Sequence, residues 1–206
     1  MSDEIDSSEQ PYPVPRMDAA SAQIFHVLED EFLQLFLRWR LYRSLYADAP
    51  SAIGTWQLSE SSPFTVLKTV LFEDVIVRLC KLTESTKPFG NLSIHALAES
   101  LESAEPGFVT EVFSKKMQDL IGKCAKLREV RNKRIAHVDC AHAFSEDRDS
   151  LPSITFEDVK APIHMLAAAL NAAAMHYGRV KIWYDAIVVP VSADLEELQA
   201  LLRRNS

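Results

Sequence analysis

The chain has 206 residues, 48% hydrophobic and 25% charged, the balance of a soluble globular domain long enough to bury a core without covalent staples. Five glycines are too few for an all-β fold of tight turns. No GxSxG or GxGxxG occurs, and a Walker loop ending at Gly122-Lys123 would need its first glycine where Met117 stands, so nucleotide-loop enzymes and α/β-hydrolases are excluded. The three cysteines, Cys80, Cys124 and Cys140, form no CxxC pair, so free thiols in a reducing, cytoplasmic compartment are expected.

Residues 1–16 are acidic and proline-spaced, which predicts a disordered tail and is the opposite of a signal peptide; residues 17–206 then form a single domain. From Asp18 to Tyr46 the pattern is helical and free of glycine. Arg38, Arg40 and Arg43 alternate there with Trp39, Tyr42 and Tyr46, a mix that can stack on bases or turn its aromatics inward. Ser62-Pro63 reads as an N-cap before a helix running to about Leu82, apolar nearly all round and so expected to be covered on several sides. Glu73 and Asp74 within it require partners.

Lys87-Pro88-Phe89-Gly90 is a turn, and Ser93 caps a third helix that ends at Pro106-Gly107. A long helix is predicted from about Thr110 to Val138, then a polar loop over 144–152. An alanine-rich helix follows from about Asp158 to Tyr177, with Gly178 beyond its end. Ile187-Val188-Val189 reads as a short extended piece, and Asp194 with Glu197 as the capping box of a terminal helix. The fold class is all-α, an antiparallel helical bundle with a short C-terminal extension. No apolar run is long enough to span a bilayer, so no membrane is expected.

The net charge is −7, but it is unevenly spread. From Lys115 to Arg134 eight basic residues face only Asp119 and Glu129, a net of +6, leaving −13 for the rest of the chain. On a helical wheel Leu120, Cys124, Leu127, Ile135 and Val138 share one side, with Arg131 near its middle. A guanidinium there must be paired or meet an anion. Arg131, Arg134 and His137 are spaced by three and form an oblique ridge, with Arg131 and His137 about 120° apart on an ideal helix. Guanidinium binds phosphate bidentately, and an imidazole can exchange a proton at neutral pH, which is enough to cleave a phosphodiester without a metal. A purely structural role is the alternative: Arg131 paired with Asp74 or Glu73, and His137 bound to a carbonyl near the helix end.

Arg131-Asn132-Lys133-Arg134-Ile135-Ala136-His137 fits the R-x(4–6)-H motif of the HEPN superfamily. The order Phe72-Glu73-Asp74-Val75-Ile76, Asn91-Leu92-Ser93-Ile94, the Arg-Asn…Ala-His helix and Leu151-Pro152-Ser153-Ile154-Thr155-Phe156-Glu157-Asp158 resembles the abortive-infection, AbiU-like branch over about residues 20–190. The resemblance implies a HEPN-type bundle that dimerises so that two R…H motifs share a cleft. It implies a metal-independent endoribonuclease of phage defence or a toxin, with an antitoxin protein as a further partner. A non-catalytic helical module that binds RNA, a nucleotide or a protein is the other reading.

Under the first reading Arg131, Asn132 and His137 are catalytic, and Lys133, Arg134, Arg128 and Lys126 hold RNA phosphates. Asp74 or Glu73 supports Arg131. No cofactor is expected. His137, Asp139, Cys140 and His142 are metal ligands by residue type, but their spacing fits no common zinc module and no metal is assigned.

Overall fold

Asp18 begins the first helix as its sequence position suggests, its Oδ1 accepting from the backbone N–H of Ala20 and Ser21 at 3.1 Å each. The computed structural model describes residues 14–46, 63–88, 90–109, 113–135 and 152–186. Among these lie five α-helices and no strand: α1 Ala19–Tyr46, α2 Pro63–Leu82, α3 Ile94–Ala104, α4 Ser114–Val130 and α5 Phe156–His176. A π turn, Arg131–Ile135, continues α4, and a 3-10 turn, Tyr184–Ala186, follows α5. The fold is the all-α bundle expected.

The helix α1 packs mainly on α2 and α3, and α4 mainly on α5. Phe25, Leu28, Phe32, Leu35 and Trp39 put one face of α1 wholly inside. Trp39 packs on Tyr42 at 5.9 Å and on Phe156 at 4.6 Å between ring centroids, and Tyr42 meets Phe72 at 5.1 Å. Trp39 is thus a core residue, while Tyr42 and Tyr46 are half-buried with their rings packed on neighbouring aromatics. Ser93 caps α3 by accepting from the His95 N–H at 3.3 Å. In α5, Thr155 and Asp158 form a reciprocal capping box, starting the helix two residues earlier than the sequence pattern suggests. Ala169, Ala173 and Ala174 are fully buried, small side chains that let a neighbouring helix approach closely.

Two expectations change. The helix α2 is buried only in its second half, at Val75, Ile76, Leu79, Cys80 and Leu82. Val66, Leu67 and Val70 in its first half are exposed among the described residues. Their apolar pattern marked helix but not coverage, because a helix apolar all round gives no information on where along its length neighbours end. Residues 14–16, assigned by composition to the tail, dock on the bundle. Val14 is buried, the Arg16 N–H donates to Tyr177 O at 3.2 Å, and Arg16 Nη2 donates to His176 O at 3.3 Å. Gly178 takes φ 93°, and a Cβ there would sit 2.9 Å from Arg16 Nε, so only glycine fits both the turn and this contact.

Beyond α5 the chain is tied back by Asn171, whose amide donates to Ile182 O at 2.9 Å and accepts from Ile182 N–H at 2.8 Å. This places Arg179 and Tyr184 against α1. Both terminal amino groups of Arg179 bind Glu29, the Tyr184 hydroxyl donates to the same carboxylate at 2.8 Å, and the guanidinium lies 5.0 Å over the Phe25 ring. The Arg179 and Glu29 side chains are only 5% and 7% exposed. Burial opposes the charge on Arg179, yet Glu29 and Tyr184 outweigh it and raise its pKa.

Candidate functional site

The motif helix is anchored from inside by Met117, Leu120, Cys124, Leu127 and Val130, all buried. Leu120, Cys124 and Leu127 belong to the stripe expected from the wheel. The Ile135 side chain and Val138 lie outside the described residues. The helix does not run unbroken to residue 138 as predicted. At Arg131 it widens into a π turn that packs against α2, so ideal-wheel angles stop applying where the motif starts. Such wide turns are rare and concentrate at functional sites.

Arg131 is paired, as its place near the core demands, but its partner is Glu84. Nη2 of Arg131 donates to Glu84 Oε1 in a short contact, with the two side chains 20% and 29% exposed. Asp74, expected to support Arg131, is occupied elsewhere. It accepts from Arg78 Nε at 2.9 Å, one helical turn on, and pairs with Arg38 Nε of α1 at 3.0 Å. Asp74 and Glu73 lie about 12 Å or more back along α2 from its C-terminal end, whereas Glu84 stands just beyond that end.

Two residues assigned to RNA phosphates also have other work. Arg128 donates from Nη2 to Thr83 O at 2.6 Å and Thr83 Oγ1 at 2.9 Å, and from Nη1 to Ile121 O at 3.1 Å. It therefore clamps the end of α2 onto α4. Lys126 Nζ donates to Asp158 at 2.7 Å and joins α4 to the start of α5, holding the Asp158 carboxyl down at about 2 together with Thr155. Asn132 and Lys133 are exposed on the π turn, Lys133 donating to Glu129 at 2.9 Å. The backbone of Arg134 belongs to the same turn, while its side chain, and His137, Asp139, Cys140 and His142 entirely, lie outside the described residues.

Beneath Arg131, Cys80 and Cys124 are free, buried thiols. Burial pushes Cys80 up to about 12 and raises Cys124 as well, so both stay protonated and inert as nucleophiles at neutral pH. His95, at the start of α3, is pushed down by burial and then by the nearby Arg128. A shallow hollow of about 540 Å³ opens beside it, floored by Ala98, Val109 and Met117.

A family model described as AbiU2, one of the HEPN families, matches residues 19–203, starting at the first residue of α1. The chain belongs to the HEPN AbiU2 family. No curated protein and no solved structure matches it. In this AbiU2 chain the match spans all five described helices and the segment that carries Arg131 and His137. No described helix is long and apolar enough to cross a membrane.

Sequence reasoning missed Glu84 and Thr83. A signal was present: a carboxylate just beyond a helix C-terminus faces the negative end of the helix dipole and needs a cation to remain there. Glu84 follows Leu82, the last residue of α2, by two positions.

Proposed function

We propose that this HEPN AbiU2 chain is a metal-independent endoribonuclease of cytoplasmic phage defence, acting as a homodimer whose two motifs share one cleft. The observation that carries the reading is the half-open guanidinium of Arg131, held on a π turn beside exposed Asn132 and Lys133 and six residues before His137. It meets its carboxylate through one amino group and keeps part of its surface toward solvent.

In the reaction, His137 takes the proton from a ribose 2′-OH as O2′ attacks the adjacent phosphorus. The P–O5′ bond breaks, and the leaving O5′ receives a proton from the partner's His137. Arg131 stabilises the charge that gathers on the non-bridging oxygens. Asn132 positions the phosphate, and Lys133 and Arg134 hold the flanking backbone. Products are a 2′,3′-cyclic phosphate and a 5′-OH. An antitoxin protein that covers the cleft would restrain the activity in the cell.

The test is incubation of the purified full chain with total RNA in excess chelator, comparing wild type with His137→Ala and identifying the new ends. Cyclic phosphate and 5′-OH ends that require His137 are expected. RNA bound but left intact replaces this reading with that of a non-catalytic binding module. A mass of one chain by light scattering at micromolar concentration removes the dimer.

A further inference from the structure

Arg131 is useful to a phosphate only if its fork points one way, and a long side chain on an exposed turn points many ways unless something holds it. The residues that hold it are visible as a connected series. Thr83 is buried, and its hydroxyl donates to Leu79 O at 2.9 Å. Arg128 grips the same residue at its carbonyl and its hydroxyl. Three residues on, the Thr86 hydroxyl donates to Glu99 of α3 at 2.8 Å, and Thr86 O accepts from the N–H of Gly90 and Asn91 at 2.6 and 3.2 Å. Glu84 stands between these two fixed points. Its carboxylate is therefore set by α3 and α4 as much as by its own helix.

Glu84 engages Arg131 through Nη2 alone, while Nε of Arg131 is buried with no hydrogen-bond partner among the described residues. By contrast, the enclosed pair of Arg179 with Glu29 uses both terminal amino groups of its fork. We propose that Glu84 is a positioning residue, a carboxylate fixed on the clamped turn after α2 that aims the Arg131 guanidinium at an RNA phosphate. This rests on reading Arg131 as the phosphate-contacting residue. Glu84 touches neither substrate nor reacting atom. It acts through Arg131, and it keeps one negative charge near the place where the phosphate sits.

That last feature separates positioning from mere support. Removing the charge while keeping the shape, as in Glu84→Gln, should loosen the aim of Arg131 and also relieve repulsion of the phosphate. Cleavage at saturating RNA should fall about tenfold or more, while affinity for a 2′-O-methylated oligonucleotide, which cannot be cut, stays equal or tightens. Glu84→Asp keeps the charge one methylene short, and should restore wild-type affinity but not the rate. In an affinity cycle with Arg131→Ala, where only the relief of repulsion remains, Glu84→Gln should tighten binding about threefold more than it does beside Arg131, which is the coupling between the two residues.

Three results overturn the proposal: Glu84→Gln cleaving at the wild-type rate, effects of the two substitutions that simply multiply, or Arg131→Ala binding the oligonucleotide like wild type. Should the wild-type chain bind RNA without cutting it, the nuclease reading fails by itself, and the affinity cycle still decides whether Glu84 acts through Arg131. Thermal melting of each variant accompanies the cycle. If Glu84→Gln melts early, Glu84→Asp in the presence and absence of Arg131 decides the same question.

Discussion

Two arginine–carboxylate pairs in this bundle are built differently. Arg179 meets Glu29 with both terminal amino groups, has Tyr184 as a third member and Phe25 beneath, and is almost wholly enclosed. Arg131 meets Glu84 with one amino group on a π turn and stays partly open to solvent. The first is what a fold needs in order to bury a charge: the carboxylate is gripped by a two-pronged cation and a hydroxyl, and the pair fastens the chain after α5 to α1. The second leaves binding capacity unspent. The same two residue types thus distinguish a structural lock from a candidate site by how the fork meets its carboxylate and how much of it faces solvent.

The sharpest way to break this comparison is to remove one partner of each pair. Glu29→Ala or Arg179→Ala strands a buried charge and should cost about 3–5 kcal/mol of folding stability. Arg131→Ala leaves Glu84 near solvent and should cost about 1 kcal/mol, while abolishing cleavage. Denaturant melts of the three variants, with RNA cleavage measured per folded molecule, check both statements. Equal destabilisation by Arg131→Ala and Arg179→Ala would show that the two arginines have one role.

The next largest effect concerns the same end of the bundle as Arg179. Val14 and Met17 are buried, and Arg16 binds the last turn of α5. Deleting residues 1–13 should leave the melting temperature unchanged. Extending the deletion through Met17 removes these two buried apolar side chains, exposes the surface they cover, and should cost about 2–4 kcal/mol. Calorimetry on the two truncations separates a dispensable leader from a docked segment.

The contrast also explains what the amino-acid sequence made legible. Helix existence, the bounds of α2, the Ser93 cap and the inward aromatics of α1 follow from local periodicity and cap chemistry, which act within a few residues. Arg131, Asn132 and His137 stand out by their chemical types and spacing. Their partners do not, because pairing is decided by how helices cross. Asp74 looks suited to Arg131 as a carboxylate in an apolar helix, but α1 brings Arg38 to it, and Arg78 sits one turn away. Arg128 and Lys126 read as a cationic surface because charge counting does not register that one reaches Thr83 and the other Asp158. The proline-spaced tail hid Val14 for a similar reason: composition averages over a segment, whereas docking depends on one side chain and the groove it enters.

Lys126 and Asp158 give a further ion pair a pH handle. Asp158 is lowered from 3.8 to about 2 by Lys126 and Thr155. Its folded pKa lies below its unfolded one, so its contribution to stability is complete above about pH 4 and is lost as pH falls through about 2. Asp158→Ala removes both the capping box and the link to α4 and should cost about 1–2 kcal/mol at pH 7. In Lys126→Met the loss of stability between pH 4 and pH 2 should be shallower than in wild type. Urea midpoints across that range test it, and an unchanged slope would remove Lys126 as the cause.

The smallest effect compares two histidines, one beside the Arg179–Glu29 pair and one beside the Arg128 clamp. His26 lies near Glu29 and Arg179, and His95 near Arg128 and Glu99; both are held below 6.5, in each case first by burial. Because the unfolded chain binds these protons at higher pH than the folded one, stability should fall as pH drops below 6.5. The second causes differ. For His26 the Glu29 carboxylate opposes the shift, whereas for His95 the Arg128 guanidinium adds to it. Arg128→Met should therefore raise the His95 midpoint and leave that of His26 alone, read from the ring C–H resonances of the folded protein. An Arg128→Met chain in which His95 titrates as before would mean that burial alone sets it, and that the cation at the end of α2 acts only as a clamp on Thr83.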